Sequence, residues 1–129
     1  MLVVDASALV DALLVVPGSD DVRTWLVNEE LHAPSLIDYE VVSAVRGLVL
    51  GGQVTSARAQ DLLSDLEDLP IHRWQSSDGL RRRAFQLRDN LSAYDAAYIA
   101  LAEALQCPLL TRDVRLSRAS GHGVHVVVR

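Results

Sequence analysis

Two short apolar runs in this chain each end in an aspartate: Met1-Leu-Val-Val-Asp5 near the start and Pro108-Leu-Leu-Thr-Arg-Asp113 near the end. Each reads as a strand, and each leads into a stretch of helical spacing. Strands that alternate with helices through short connections build a parallel sheet covered on both faces. Open sheets of that kind place their ligands at the carboxyl ends of the strands, where Asp5 and Asp113 fall. The same two runs therefore constrain both the architecture and the position of any chemistry in it.

The alternation continues along the chain. Leu2 to Val4 form the first strand, and Ser7 is expected to cap a helix through about Val15, broken by Pro17-Gly18-Ser19. Ser19 caps a helix to about Glu30, with Asp20 and Asp21 in its first turn and Val22, Trp25 and Leu26 on its apolar face. Leu31 to Ala33 make a second strand. Ser35 then begins a helix that stops at Gly51-Gly52. Thr55 or Ser56 starts another, Ile71 to Trp74 form a third strand, and a helix from about Ser77 carries Leu80, Ala84 and Leu87. Ser92 caps the helix that holds Asp95. Leu109 and Leu110 form a fourth strand, residues 113–119 a short helix, and Val124 to Val128 a fifth strand. No linker or repeat interrupts the pattern, so residues 1–129 are read as one domain.

Composition narrows the function classes. Half of the residues are hydrophobic and only 5% aromatic, so the core is mostly Val, Leu and Ala. Cys107 is the only cysteine, which excludes an intrachain disulfide, fits a reducing cytosol and suggests a buried, inert thiol. Met1 opens directly into a strand, unlike a signal peptide, and no run approaches the roughly 18 apolar residues of a membrane span. A soluble, cytoplasmic protein is expected. The formal net charge is −5, with all twelve basic residues arginine. That balance counts against tight nonspecific nucleic-acid binding by the bare chain, although bound cations would supply local positive charge.

Two more acids lie inside apolar helical stretches, Glu40 in Leu36-Ile-Asp-Tyr-Glu-Val-Val and Asp95 in Tyr94-Asp-Ala-Ala-Tyr-Ile-Ala-Leu. An unpaired charge loses roughly several kcal/mol on desolvation, so four such acids call for a reason. If Asp5, Glu40, Asp95 and Asp113 converge, they form an all-oxygen cage for a hard divalent cation and point to hydrolysis of a phosphate-bearing substrate. Each also has a structural reading. Asp5 and Asp113 can be caps or turn acids, and Asp95 completes the capping box Ser92-Ala-Tyr-Asp while projecting near Tyr98, Ile99 and Ala102. The third helix has an apolar stripe centred on Ile37, Val41, Ala44, Val45 and Leu48, with Asp38 and Glu40 on opposite edges. Periodicity does not choose between those two, and Asp38 has a structural role available as the acid of Ser35-Leu-Ile-Asp.

These residues together resemble a family. Val-Val-Asp5-Ala-Ser7-Ala-Leu is similar to the opening of PIN-domain proteins. So are Pro34 followed by Glu40 in an apolar helix, Leu91-Ser-Ala-Tyr-Asp95-Ala-Ala-Tyr-Ile-Ala-Leu-Ala-Glu-Ala-Leu, and Pro108-Leu-Leu-Thr111-Arg-Asp113. At this length the chain looks like a VapC-type toxin of a toxin–antitoxin pair, with the resemblance running from Val3 to Val128. The resemblance implies a three-layer α/β/α sandwich with a mainly parallel five-stranded sheet. It implies an Mg²⁺- or Mn²⁺-dependent endoribonuclease with Asp5, Glu40, Asp95 and Asp113 as catalytic metal ligands, and so selects Glu40 over Asp38. It also implies a VapB-type antitoxin, an RNA substrate and a homodimer. One departure stands out: some relatives carry a further acid just after the position of Asp113, where this chain has Val114 and Arg115.

Other residues are read around that core. Ser7 and Thr111 can hydrogen-bond a carboxylate and fix its rotamer, or serve as caps. Arg112, Arg115 and Arg118 recur beside Asp113, and Arg112 and Arg115 are candidates for contacting RNA phosphates. Arg81, Arg82, Arg83 and Arg88 read first as a solvated helix face. His32 and His72 are isolated near strand ends, and His122-Gly-Val-His125 lacks zinc-site spacing. Tyr94 and Tyr98 read as core packing rather than base stacking. A nucleophilic-aspartate phosphatase would need an acid where Ser7 stands, and no Gly-x-Gly-x-x-Gly follows the first strand. The remaining alternative is a non-catalytic PIN-like module that binds RNA or protein.

Overall fold

The computed structural model describes all 129 residues. Five strands, β1 (Leu2–Val4), β2 (Leu31–Pro34), β3 (Ile71–Trp74), β4 (Leu109–Thr111) and β5 (Val126–Val128), form one sheet in the order β3-β2-β1-β4-β5. Every pairing is parallel. The central strand has no wet face, and Leu2, Val3 and Val4 are fully buried, as a strand covered on both sides must be.

Seven helices complete the chain: α1 (Ala6–Leu13), α2 (Asp20–Asn28), α3 (Ile37–Leu50), α4 (Ser56–Asp68), α5 (Asp78–Gln86), α6 (Ala93–Leu105) and α7 (Val114–Arg118). Helix α1 packs against α2, α3 and α4, whereas α5 packs on α6 and α6 covers β1, β2 and β4. The chain runs from β1 outward to β3 and then returns across the sheet to β4. Right-handed crossovers therefore put the first four helices on one face and α5 and α6 on the other, giving an α/β/α sandwich. Strand order reverses between β1 and β4, and the ends of those strands border the crevice.

Local sequence explains most helix boundaries. Thr55, Ser77 and Ser92 cap their helices by accepting from the backbone N–H three residues on. Helix α6 buries Ala96, Tyr98, Ile99, Ala100, Leu101 and Ala102, its small side chains allowing close approach to the sheet. On α3 the buried stripe is Ile37, Val41 and Val45, while Ala44 lies outside it on the exposed face.

Three local expectations are corrected. Asp5 rather than Ser7 caps α1, because its extended backbone aims the carboxylate at the Ala8 N–H. Asp38 does not close a capping box: α3 begins at Ile37 without a side-chain cap, and Asp38 instead receives Arg73 Nε from β3 at 2.8 Å. Ser19 precedes α2 without capping it, since its hydroxyl donates to Val16 O and accepts from Arg23.

Helix α1 also ends earlier than expected, in a Schellman turn. The Val15 N–H donates to Ala12 O and the Val16 N–H to Asp11 O, with Val15 at φ 56°. That left-handed position suits glycine and penalises a β-branched residue. Val15 is 60% exposed, so its side chain returns little packing. Val15→Gly should therefore stabilise the protein by about 1 kcal/mol, read as a higher denaturation midpoint at unchanged slope.

Candidate active site

The site is built where β1 and β4 end side by side. Their register pairs Val3 with Leu109 and Val4 with Leu110, which brings Asp5 abreast of Thr111. Asp5 is 7% exposed, and its Oδ1 accepts from Ala8 N at 3.0 Å and Ser7 Oγ at 2.7 Å. Its Oδ2 accepts from Thr111 Oγ1 at 2.5 Å. Both hydroxyls thus spend their protons on Asp5 and turn their lone pairs to the backbone. Ser7 Oγ accepts from Arg112 N at 3.1 Å, and Thr111 Oγ1 from Asp113 N at 2.9 Å. Thr111 therefore serves the carboxylate of the neighbouring strand, not that of Asp113.

The other acids arrive from three helices. Glu40, half-buried on α3, accepts from the Tyr98 hydroxyl of α6 at 2.6 Å. Asp95 stands in the first turn of α6, and its backbone N–H donates to Ser92 Oγ at 3.2 Å. Asp113 caps α7 and accepts from Arg115 through the backbone N–H at 2.9 Å and Nη2 at 2.7 Å. Asp38, Glu40's rival on α3, is drawn away to Arg73.

Electrostatics tie the four acids into one field. Burial pushes the Asp5 carboxyl up, against the pull of its three hydrogen bonds, and the Asp113 charge adds to the rise. Glu40 is pushed up by burial and by Asp95 and Asp5, with the Tyr98 bond opposing. Tyr98 itself is raised by burial and by its bond to Glu40, so it stays a proton donor. Asp113 is lowered, because Arg115 clasps it. No ion pair reaches Asp5, Glu40 or Asp95.

In chemistry these residues fit a hard divalent cation: the donors are all oxygens, and three like charges share a region without a cation of their own. In reach they stand apart, since no three acids approach closely enough to hold an ion. Each acid but Asp95 has a side-chain partner, with Asp5 bonded to Ser7 and Thr111, Glu40 to Tyr98, and Asp113 to Arg115. The Arg115 contact with Asp113 is an exposed side-chain pair, which a bound cation can outcompete.

The remaining candidates are less uniform. Arg112 is 21% exposed and is held by Asp11 at 2.9 Å and Gly18 O at 3.0 Å, so its charge is already used inside the chain. Arg115 is 83% exposed. Of the second arginine group, Arg82 pairs with Asp78 and Arg83 with Glu103, while Arg88 lies over the Phe85 ring. Tyr98 packs in the core as expected, but Tyr94 is 66% exposed. Tyr94, Trp74, Phe85, Arg81 and Arg88 line a mostly apolar cavity of about 450 Å³ beside the amino end of α6. His32 and His72 are not isolated, because parallel register places them abreast and their rings stack at 4.8 Å. Trp74 Nε1 donates to His32 Nδ1 at 2.9 Å, and His32 Nε2 meets Glu30 at 2.7 Å. Cys107 is half-buried rather than enclosed, and burial pushes its thiol up.

Sequence reading missed the Tyr98–Glu40 bond. The available signal was spacing, since Tyr98 follows Asp95 by one helical turn and so shares its face.

The raised Asp5 carboxyl has a measurable consequence. A folded-state pKa above the unfolded value gives stability that is complete below the unfolded value, 3.8, and is lost as pH rises through the folded one. Asp5→Asn removes the buried charge, so in excess chelator at pH 7 it should raise the melting temperature. The gain should shrink as pH falls toward 4, as followed by calorimetry across that range.

Comparison with known proteins agrees with this fold. The PIN domain family model matches residues 2–121. Ribonuclease VapC12 of Mycobacterium tuberculosis is 36% identical over 126 residues, covering 98% of this chain and 97% of that protein. Ribonuclease VapC9 of the same organism is 43% identical over 117 residues, covering 91% and 89%. Among solved structures, PAE2754 from Pyrobaculum aerophilum superposes with a TM-score of 0.70 at 26% identity, covering 97% of this chain and 81% of that one. VapBC2 from Rickettsia felis, bound to a DNA fragment from its promoter, superposes at 0.69 and 15% identity, covering 98% and 97%. With the family matched along nearly its whole length and close relatives aligned almost end to end, this chain belongs to the PIN-domain family, among its VapC proteins.

Proposed function

We propose that this chain is a metal-dependent endoribonuclease, the toxin of a VapBC-type pair. The observation that carries the reading is the crevice between β1 and β4, where buried Asp5 and its companions Glu40 and Asp95 lack any cation partner. The curated relatives of near-full length are named ribonucleases, which supports RNA as substrate. A non-catalytic module is not favoured by either line.

In this reading Asp5 and Asp95 would be direct ligands of Mg²⁺ or Mn²⁺, and Glu40 and Asp113 would complete the set partly through waters or help deprotonate the nucleophile. A cation held there would polarise the scissile phosphate and lower the pKa of a bound water. The chain's own part is orientation and proton handling. Ser7 and Thr111 fix the Asp5 carboxylate so that it need not reorganise during the reaction. Glu40 has Oε1 occupied by Tyr98, which leaves Oε2 to take the proton of the attacking water. Its raised proton affinity suits a general base.

A VapB-type antitoxin is the proposed partner, supported by neighbours of similar fold solved as VapBC complexes. A cytoplasmic setting goes with that partnership, and no helix is long and apolar enough to cross a membrane. Self-association belongs to the same proposal, through the exposed rings of Trp74, Phe85 and Tyr94 around the apolar cavity.

Two experiments follow. Purified, antitoxin-free protein should cut a mixed cellular RNA pool into discrete fragments with Mg²⁺ or Mn²⁺ but not with excess chelator. Asp5→Asn and Asp95→Asn should each slow the cutting about 100-fold or more; full activity in either variant would remove these residues from the mechanism. Sedimentation velocity should show a dimer that Phe85→Glu converts to monomer, and an unchanged sedimentation coefficient would exclude this face as the contact.

A further inference from the structure

At the acid cluster one cation comes from the chain itself. Arg115 stands in the first turn of α7 and clasps Asp113 through Nε at 3.1 and 3.2 Å and Nη2 at 2.7 Å. Its charge also acts on Asp95, although the two do not touch. No other arginine reaches this cluster, since Arg112 is turned to Asp11 and Gly18. The contact is made to be released. Arg115 is 83% exposed, so it can leave without opening the core. The cap on α7 survives its departure, because the Arg115 backbone N–H continues to donate to Asp113. Exposed ion pairs are weak, whereas a guanidinium is a good two-point ligand for phosphate.

We propose that Arg115 is an internal stand-in for the divalent ion, holding Asp113 until the metal takes that carboxylate and then turning to a phosphate of the RNA strand. The inference rests on the endoribonuclease reading above. It makes Arg115 a positioning residue whose removal has opposite effects on two ligands. The metal loses a competitor and binds more tightly; the RNA loses a phosphate contact and binds less tightly. A residue that only stabilises α7 would not move the two affinities in opposite directions.

The test is calorimetric titration of MnCl₂ into chelator-stripped protein. Anisotropy of a labelled, cleavage-resistant 2′-O-methyl RNA oligonucleotide at saturating Mn²⁺ supplies the second readout. Arg118→Ala, on the same helix and without an ion pair, controls for the change in net charge. Arg115→Ala should bind Mn²⁺ about threefold or more tightly than Arg118→Ala, and the RNA about threefold or more weakly. Arg115→Lys keeps the charge without the two-point fork and should fall between, which preserves the test if the alanine variant folds poorly. Equal or weaker Mn²⁺ affinity in Arg115→Ala overturns the stand-in, and unchanged RNA affinity overturns the transfer to phosphate. A different result marks failure of the underlying metal reading: no Mn²⁺ binding by any variant, or binding that survives Asp5→Asn, overturns both together.

Discussion

Asp5 brings a carboxylate to the end of a strand that is buried on both faces, and the chain supplies no cation for it. Such a group is tolerated only if every lone pair turned inward meets a donor. Ser7, Ala8 and Thr111 meet that demand, and in doing so they join the start of α1 to the end of β4. The same two hydroxyls accept the backbone N–H groups of Arg112 and Asp113, so the turn that presents Asp113 is set by the solvation of Asp5. Sheet register and site geometry are thus one arrangement. A shift of β4 by one residue would leave the Asp5 carboxylate without Thr111 and turn every β4 side chain to the opposite face.

Half of the twelve arginines pair with acids of the chain, Arg115 at the acid cluster and five elsewhere. Arg23, Arg73, Arg82, Arg83 and Arg112 all pair with acids of the same molecule. Arg83 is the best placed of them, holding both Glu103 oxygens at 2.7 and 3.0 Å and Gly121 O at 2.9 Å. It fastens α5 to α6 and to the loop before β5, and its guanidinium holds the Glu103 carboxyl low. Arg46, Arg58, Arg81, Arg88, Arg118 and Arg129 have no acid partner, but none of them pairs with an acid of the site, and the chain as a whole carries a net charge of −5. In the proposed function, attraction at the cleavage site comes chiefly from the cation and from Arg115 once it is released.

The fold was largely legible because its signals are local. Strand runs, helix periodicity and the caps at Thr55, Ser77 and Ser92 depend on residues a few positions apart, and they stand close to where spacing puts them. Some of the misreadings come from contacts between distant elements. Ser35-Leu-Ile-Asp38 has the form of a capping box, but Arg73 on a neighbouring strand competes for the acid. His32 and His72 look unrelated in sequence and stack because parallel register sets them abreast. Tyr94 and Tyr98 occupy similar apolar surroundings in the sequence, yet Tyr94 in the first turn of α6 lies beside an open cavity, whereas Tyr98 one turn later is buried and donates to Glu40.

By itself the sequence determined the kinds of element, their order and the presence of four acids in apolar settings, because periodicity and chain chemistry carry that information. Spacing within α3 left Asp38 and Glu40 equivalent, and only the resemblance to a family chose between them. The tertiary structure decided which groups meet. It placed Thr111 against Asp5 across 106 residues of chain, drew Asp38 away to Arg73 and set Arg115 on Asp113. The physical reason is that strand order and register are properties of the whole sheet, fixed by burial on both faces, and no local stretch of sequence contains them.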